Sequence, residues 1–149
     1  MISLRLVDAY NFHAVCDLTV NDAQKPFIAP NVYSIAEAKI YPEATIRAIY
    51  YNQIPIGFLM FSRTMKDNNK PWVMRFMIDH KYQGKGYGKT AFHLALQLIE
   101  ATYGKTSVYL SAHKNNTTAI RFYESFGFNS TFQLLDQELV FKKPRIIES

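Results

Sequence analysis

The chain has 149 residues, of which 48% are hydrophobic and 19% are charged, and its formal net charge is +5. These values predict a single domain over residues 1–149 with a substantial core. No run approaches the roughly eighteen apolar residues of a membrane span, no signal-peptide pattern opens the chain, and the scattered basic residues form no nucleic-acid-reading motif, so we expect neither membrane nor nucleic acid as a partner.

Hydrophobic periodicity and turn residues predict eleven helices and strands. The first helix begins at Asp8, and Ser34 with Glu37 matches a capping box at the start of the second. A polar turn, residues 66–70, precedes the central strand. In chain order the elements are a strand (2–7), a helix (8–20), a short helix (34–42), a hairpin (44–51 and 54–64), a strand (72–79), a helix (88–103), a strand (106–112), a helix beginning at Asn116, and a final hairpin (128–132 and 134–142).

A glycine-rich segment, Gln83 to Lys89, joins the strand of residues 72–79 to the helix of residues 88–103. Alternating glycines let the backbone turn tightly and approach a ligand closely. The helix directs its free N–H groups and positive dipole end into that turn, which makes an anion site, and two lysines add positive charge. The spacing matches neither a P-loop nor a dinucleotide fingerprint. We therefore predict a site for the pyrophosphate of another nucleotide-containing cofactor.

The segment from Asn116 to Phe128 predicts a second informative helix. Asn115 or Asn116 can cap its start, and Gly127 can end it in a left-handed conformation. Tyr123 is either a functional residue of this helix or an ordinary aromatic residue of the core. The apolar stripe consists of Ala119, Ile120, Phe122, Tyr123 and Phe126.

These two segments together resemble the GNAT superfamily of N-acetyltransferases. Gln83, Gly86 and Gly88 match its Gln-x-x-Gly-x-Gly acetyl-CoA loop, and the Asn116 helix resembles its Asn-x-x-Ala-x-x-x-Tyr-x-x-x-Gly-Phe pattern. The resemblance implies an α/β (α+β) fold with a mixed, strongly twisted sheet of about seven strands flanked by about four helices. It also implies two parallel strands that splay apart at the cofactor site.

Acetyl-CoA is the cofactor that the resemblance implies, with no metal. The backbone of the strand before the glycine loop is expected beside the pantetheine, where the N–H of Ile78 polarises the thioester carbonyl. In the implied direct transfer to a primary amine, the phenol of Tyr123 protonates the leaving thiolate as a general acid. The expected cofactor-binding residues are Met77, Ile78, Asp79, Gln83, Gly84, Lys85, Gly86, Tyr87, Gly88, Lys89, Thr90, Asn116 and Tyr123.

No residue stands out as the general base. Asp79 and His80 follow the central strand, where strand termination and loop solvation also explain them. Glu37 is a third candidate, although its role in the capping box is an equally simple explanation.

The acceptor is predicted from residues 26–39, because this stretch and the glycine loop resemble bacterial spermine/spermidine N-acetyltransferases. A polyamine site should offer carboxylates and aromatic faces. Candidate carboxylates near the first two helices are Asp17, Asp22, Glu37 and Glu43, and the expected substrate-binding residues are Asn31, Tyr33, Glu37 and Asp79. Alternative acceptors are a protein lysine, a protein N-terminus or an aminoglycoside, and a non-catalytic acetyl-CoA-binding regulator remains an alternative to an enzyme.

The last two strands carry more aromatic and branched residues than one face of a terminal hairpin needs. Exposed apolar strand edges are hazardous unless they are paired, so we expect a homodimer. The single cysteine, Cys16, cannot form an internal disulfide and fits the reducing cytoplasm.

Overall fold

Seven strands form one mixed sheet in a computed structural model that describes residues 1–63 and 69–145. Four α-helices and two short 3-10 helices join them. The strands are β1 (Ile2–Arg5), β2 (Thr45–Tyr51), β3 (Ile54–Ser62), β4 (Trp72–Ile78), β5 (Val108–His113), β6 (Asn129–Leu135) and β7 (Glu138–Lys143). The helices are α1 (Phe12–Asp17), α2 (Asn31–Ile40), α3 (Tyr87–Tyr103) and α4 (Thr117–Glu124), with 3-10 turns at Lys25–Phe27 and His80–Tyr82. None of the described helices is long and apolar enough to cross a membrane.

Helices cover both faces of the sheet, and each face has its own hydrophobic core. The larger core joins the sheet to α3 and α4, with the fully buried Phe92 at its centre and Phe126 and Phe128 around that ring. The second core joins the opposite face to α1 and α2 through residues such as Val15 and Phe58. The sheet therefore presents a different set of helices on each side of its central strands.

The strand order is β1-β2-β3-β4-β5-β7-β6, and neighbours pair antiparallel except for β4 and β5. These two strands run parallel and pair at one position, Trp72 opposite Tyr109. Beyond that pair they diverge toward their carboxyl ends, which opens the sheet at its centre. The predicted mixed α/β fold with splayed parallel strands is confirmed.

The first two helices differ from the predicted ones at their starts. Asp8 accepts hydrogen bonds from the N–H groups of Tyr10 and Asn11 at 2.9 and 3.1 Å, so its carboxylate closes a turn. Helix α1 then begins four residues later, at Phe12. The capping box predicted at Ser34 is wrong, because the helix already begins after Pro30 and Ser34 lies buried inside it.

The final hairpin turns later than predicted. Its turn is at Asp136 and Gln137, whose φ angles of 49° and 68° give the left-handed turn that suits a two-residue hairpin. Phe132, with φ of 62°, lies in an irregular stretch of β6 where the register with β7 shifts. This bulge interrupts the alternation and explains the misplaced turn. The predicted polar turn at residues 66–70 and the predicted end of β3 at Thr64 fall mostly outside the described residues.

Candidate active site

A cleft of about 930 Å³ lies where β4 and β5 diverge. Residues 72–78 of β4 form one wall, and residues 110–112 of β5 with α4 form the other. The glycine loop lies at one end of the cleft, and the segment from Val20 to Ala29 lies across it. The predicted cofactor residues on its wall are Met77, Ile78, Gln83, Gly84, Gly86, Gly88, Lys89, Asn116 and Tyr123.

The glycine loop has the conformation of an anion site. Gly84 and Gly86 have φ angles of 77° and 84°, a region that favours glycine, and Gly86 is the residue that caps α3. No side chain caps that helix start, so the first N–H groups of α3 point toward the loop. Lys89, one turn into α3, adds a cation on the cleft wall.

Gln83 ties this loop to the end of β4. Its Nε2 donates to the carbonyl of Ile78 at 2.8 Å and to Oε1 of Gln24 at 2.9 Å. The N–H of Asp79 donates to the carbonyl of Ile56 on β3 at 2.7 Å. Because backbone groups alternate between the two edges of a strand, the N–H of Ile78 faces the cleft. An amide that faces a cleft in this way can polarise a carbonyl bound there.

Asp79 is 4% exposed, and its carboxylate accepts hydrogen bonds from backbone amides. The N–H of Thr19 donates to Oδ1 at 2.8 Å, and the N–H of Lys81 donates to Oδ2 at 3.1 Å. His80 also contacts this segment, through an N–H that donates to the Thr19 carbonyl at 2.9 Å. Asp79 does not line the cleft, and these bonds join the end of β4 to the segment after α1.

Tyr123 on α4 lines the cleft and packs against Phe92 and Phe128, with ring centroids 5.4 and 6.2 Å away. Burial, with a smaller contribution from the negative charge of Glu138, raises the pKa of the Tyr123 phenol to about 12. A phenol with this pKa is protonated at neutral pH, as a general acid must be. Asn116 caps the same helix, because its Oδ1 accepts from the N–H of Ala119 at 3.4 Å.

Other predicted cofactor residues lie beside the cleft wall. Lys85 and Thr90 are exposed, and Tyr87 stacks on Tyr51 with ring centroids 4.6 Å apart. Their N–H groups belong to the glycine loop and the first turn of α3, whereas the predicted positive charge of Lys85 lies outside the cleft wall.

The predicted substrate residues of α2 do not line the cleft. Asn31 is buried, and its Nδ2 donates to the carbonyl of Val15 at 2.9 Å, while Tyr33 is 57% exposed. Glu37 forms an ion pair with Arg75 at 2.8 Å, and the side chains of both are about one-fifth exposed. Arg75 does line the cleft, so Glu37 is one residue removed from it.

Among the polar residues of the cleft that were not predicted from the sequence, two form a hydrogen-bonded pair. Ser111 on β5 donates from its Oγ to Oε1 of Glu138 at 2.9 Å, and both line the cleft. Their strands are paired antiparallel, which brings together residues that lie 27 positions apart in the chain. No local motif connects them, so only the strand pairing reveals the pair. Across the described part of the chain, no three or more His, Cys, Asp or Glu residues come together as a metal site.

The residues present fit acetyl-CoA. The uncapped start of α3 and Lys89 suit its phosphates, and the long opening between β4 and β5 suits its pantetheine arm. A concave surface at Lys89 and Ser125 continues the cleft over α3 and α4 toward Lys143. This outer surface has room for further parts of a nucleotide.

Comparison with known proteins agrees with this geometry. Residues 12–128 match the model of the Acetyltransferase (GNAT) family. The spermine/spermidine N(1)-acetyltransferase of Bacillus subtilis is 32% identical over 138 residues, which cover 89% of this chain and 91% of that protein.

Two solved structures have the same fold. The PaiA N-acetyltransferase of Thermoplasma acidophilum, solved with coenzyme A, superposes with a TM-score of 0.73 at 15% identity, covering 97% of this chain and 99% of that one. An aminoglycoside acetyltransferase solved with coenzyme A gives a TM-score of 0.78 at 14% identity, covering 97% and 95%. The chain therefore belongs to the GNAT family of acetyltransferases and uses acetyl-CoA as its acetyl donor.

Proposed function

We propose that this enzyme acetylates a primary amine of a polyamine such as spermine or spermidine. The observation that carries the proposal is the 32% identity, over nearly the whole chain, to a protein named as a spermine/spermidine N(1)-acetyltransferase. The matched part includes the glycine loop in the middle of the chain, since it covers 89% of the chain.

The glycine loop, the start of α3 and Lys89 hold the phosphates in this proposal, and the backbone of Met77 and Ile78 lies along the pantetheine. Acetyl-CoA supplies the thioester whose carbonyl the amine attacks. The N–H of Ile78 faces the cleft and stabilises negative charge on that carbonyl oxygen. Tyr123 keeps its proton at neutral pH and donates it to the departing sulfur.

The acceptor end of the cleft lies under the segment between α1 and α2. Phe27 and Trp72 line it, and Arg75, whose partner is Glu37 behind it, forms part of its wall. Asn31 and Asp79 support this end in the proposal, because their hydrogen bonds fix the backbone around Val15 and Thr19. Tyr33, on the exposed side of α2, contacts the outer part of a long substrate in this proposal.

Release of free thiol from acetyl-CoA in the presence of different amines tests the proposed function. The panel contains spermidine, spermine, a monoamine of similar length, a histone-like peptide and an aminoglycoside. We expect the highest kcat/KM with spermine or spermidine, and a KM for them that rises with salt, because several weak ion pairs act together. Equal rates on the monoamine would refute polyamine selection, and a preference for the peptide or the aminoglycoside would identify a different acceptor.

We also propose that the enzyme is a homodimer paired through β6. This strand is the edge of the sheet next to β7, and it exposes Phe132 and Leu134 at 90% and 68%. An apolar edge of this kind is protected when a second copy covers it. Light scattering should give about twice the chain mass of 17.2 kDa; a value equal to that mass at micromolar concentration would exclude the dimer.

A further inference from the structure

One carboxylate lines the cleft in the described part of the chain, and it belongs to Glu138. The cleft is also lined by two cationic side chains, those of Arg75 and Lys89. Arg75 is paired with Glu37, and Lys89 belongs to the glycine-loop end, where phosphates bind. Glu138 belongs to β7, which pairs with β5, and not to the glycine loop that carries Lys89.

The strand register shows which face of the sheet Glu138 occupies. Glu138 lies directly opposite His113 in the β5–β7 ladder, so both side chains are on the same face. Leu110 and Ala112, which alternate with Ser111 and His113, are buried in the core beneath α3 and α4. Glu138 and Ser111 therefore face the other side, toward the segment after α1, where Phe27 packs on His113 with ring centroids 5.4 Å apart.

The surroundings of Glu138 suit an alkylammonium ion. The Ser111 hydroxyl donates one hydrogen bond to Oε1 of Glu138. An ionised carboxylate can accept several more hydrogen bonds. Trp72, which also lines the cleft, stacks on Tyr109 with ring centroids 5.3 Å apart. Tyr109 is two residues from Ser111 on the same strand, so the aromatic pair is on the same face. Carboxylates and aromatic faces are the groups that attract ammonium ions.

We propose that Glu138, positioned by Ser111, binds the ammonium group of the acceptor on the face of the sheet opposite α4. The proposal rests on the proposed function and deepens it, because it selects cationic acceptors. Tyr123 belongs to α4. The Glu138 carboxylate, which binds the acceptor, and the Tyr123 phenol, which protonates the sulfur, therefore lie on opposite sides of the opening. The bound ammonium group and the leaving group thereby have separate polar partners, and the nitrogen that attacks the thioester is a different, neutral amine of the same polyamine.

Steady-state kinetics of Glu138→Gln with spermidine and acetyl-CoA test the proposal. Glutamine keeps an oxygen for the Ser111 hydrogen bond and removes only the charge. We expect the KM for spermidine to rise about tenfold or more, because a charged hydrogen bond is lost, while the KM for acetyl-CoA changes less than about twofold. Ser111→Ala should raise the spermidine KM by a smaller factor, because the carboxylate loses its positioning partner but keeps its charge.

The matched control is Glu124→Gln, which removes the same charge from an exposed position on α4 outside the cleft wall. It should leave both KM values unchanged. Calorimetric titration of spermidine into protein saturated with coenzyme A provides a second readout that does not depend on turnover. If wild-type protein turns over none of the amines, the proposed function fails, whereas equal spermidine affinity in wild-type and Glu138→Gln protein refutes the role of Glu138. A lower kcat with an unchanged KM would refute it as well.

Discussion

The two ends of the cleft differ in whether backbone groups or side chains form them. The cofactor end is made mainly of backbone from one continuous segment, Gln83 to Lys89, with the start of α3 behind it. The proposed acceptor end is made of side chains from three separate segments, represented by Phe27, Trp72 and Glu138. The first is held together by a glutamine that bonds to its neighbouring strand. The second is held together by the pairing of β4, β5 and β7 and by the packing of Phe27 on His113.

This difference explains why one end can be recognised in the sequence and the other cannot. A site of backbone amides requires glycine where φ is positive, and Gly84 and Gly86 meet that requirement. A site of side chains requires only that suitable residues meet in space. Substitutions at the acceptor end can accordingly change the substrate specificity of an enzyme while the glycine-loop motif stays the same.

Replacing Gly86 with Asp should have the largest effect of the substitutions at the cofactor end. The substitution places a negative charge at the anion site and a side chain at a φ of 84°. We expect the affinity for acetyl-CoA to fall about 100-fold or more, which is roughly 2.8 kcal/mol. Isothermal titration calorimetry measures this directly.

Gly104→Asp is the matched control, because Gly104 ends the same helix with a φ of 82° and, like Gly86, has open space where a Cβ would be added. It adds the same new charge away from the cleft, and its backbone cost is at least as large, because a φ of 82° with a ψ of -176° is a conformation that glycine almost alone adopts. Equal acetyl-CoA affinity in the two variants would mean that the phosphates bind elsewhere.

Removing the hydroxyl of Tyr123 should affect turnover and leave binding intact. Tyr123→Phe keeps the ring that packs on Phe92, so we expect kcat to fall about 100-fold with little change in acetyl-CoA affinity. Tyr103→Phe, at the end of α3 and outside the cleft wall, is the control for loss of a partly buried hydroxyl.

The pKa of Tyr123 also predicts the pH profile. Because that pKa is raised to about 12, the phenol stays protonated as the pH rises past the ordinary tyrosine value of about 10. The wild-type kcat should therefore not decrease as the pH is raised to about 10. A profile that falls between pH 8 and pH 10, or a Tyr123→Phe variant with normal kcat, would remove the phenol from the mechanism.

Glu37→Gln should produce a smaller change, confined to the acceptor end. The substitution leaves the charge of Arg75 on the cleft wall without its counter-charge, and that charge repels an ammonium ion. We expect the KM for spermidine to rise up to about fivefold with no change for acetyl-CoA. Glu43, a candidate acceptor carboxylate in the sequence, is exposed and does not line the cleft. Glu43→Gln should therefore have no effect; equal KM values for both variants and the wild type would confine Glu37 to a structural role.

The order of the elements and the cofactor loop could be predicted from the sequence, because both depend on local patterns. The caps of the Asn116 helix are an example: Asn116 does cap α4, and Gly127 has a φ of 92°. The predicted starts of helices were wrong where two local signals competed. Ser34 and Glu37 fit a capping box, but the chain after Pro30 is already helical.

Tertiary contacts decide what local patterns leave open. Glu37 matched a cap in sequence, yet its partner is Arg75, 38 residues away on β4. Asp79 was a candidate base, yet its carboxylate binds backbone amides on two segments. Glu138 carries no local signal of a site, since an isolated glutamate next to a turn is usually solvated.

The smallest predicted effect separates the two roles of Asn116, which caps α4 and also lines the cleft. Asn116→Ser retains a capping oxygen, whereas Asn116→Ala removes it and should cost about 1 kcal/mol of unfolding free energy. If the amide also bonds to the pantetheine arm, Asn116→Ser should weaken acetyl-CoA binding about fivefold, the loss of one neutral hydrogen bond, at nearly unchanged stability. Asn115→Ser, one position earlier and exposed, should change neither denaturant unfolding nor calorimetric affinity. Normal acetyl-CoA affinity in Asn116→Ser would leave Asn116 as a helix cap alone, and the cofactor end would then rest on backbone, Lys89 and Tyr123.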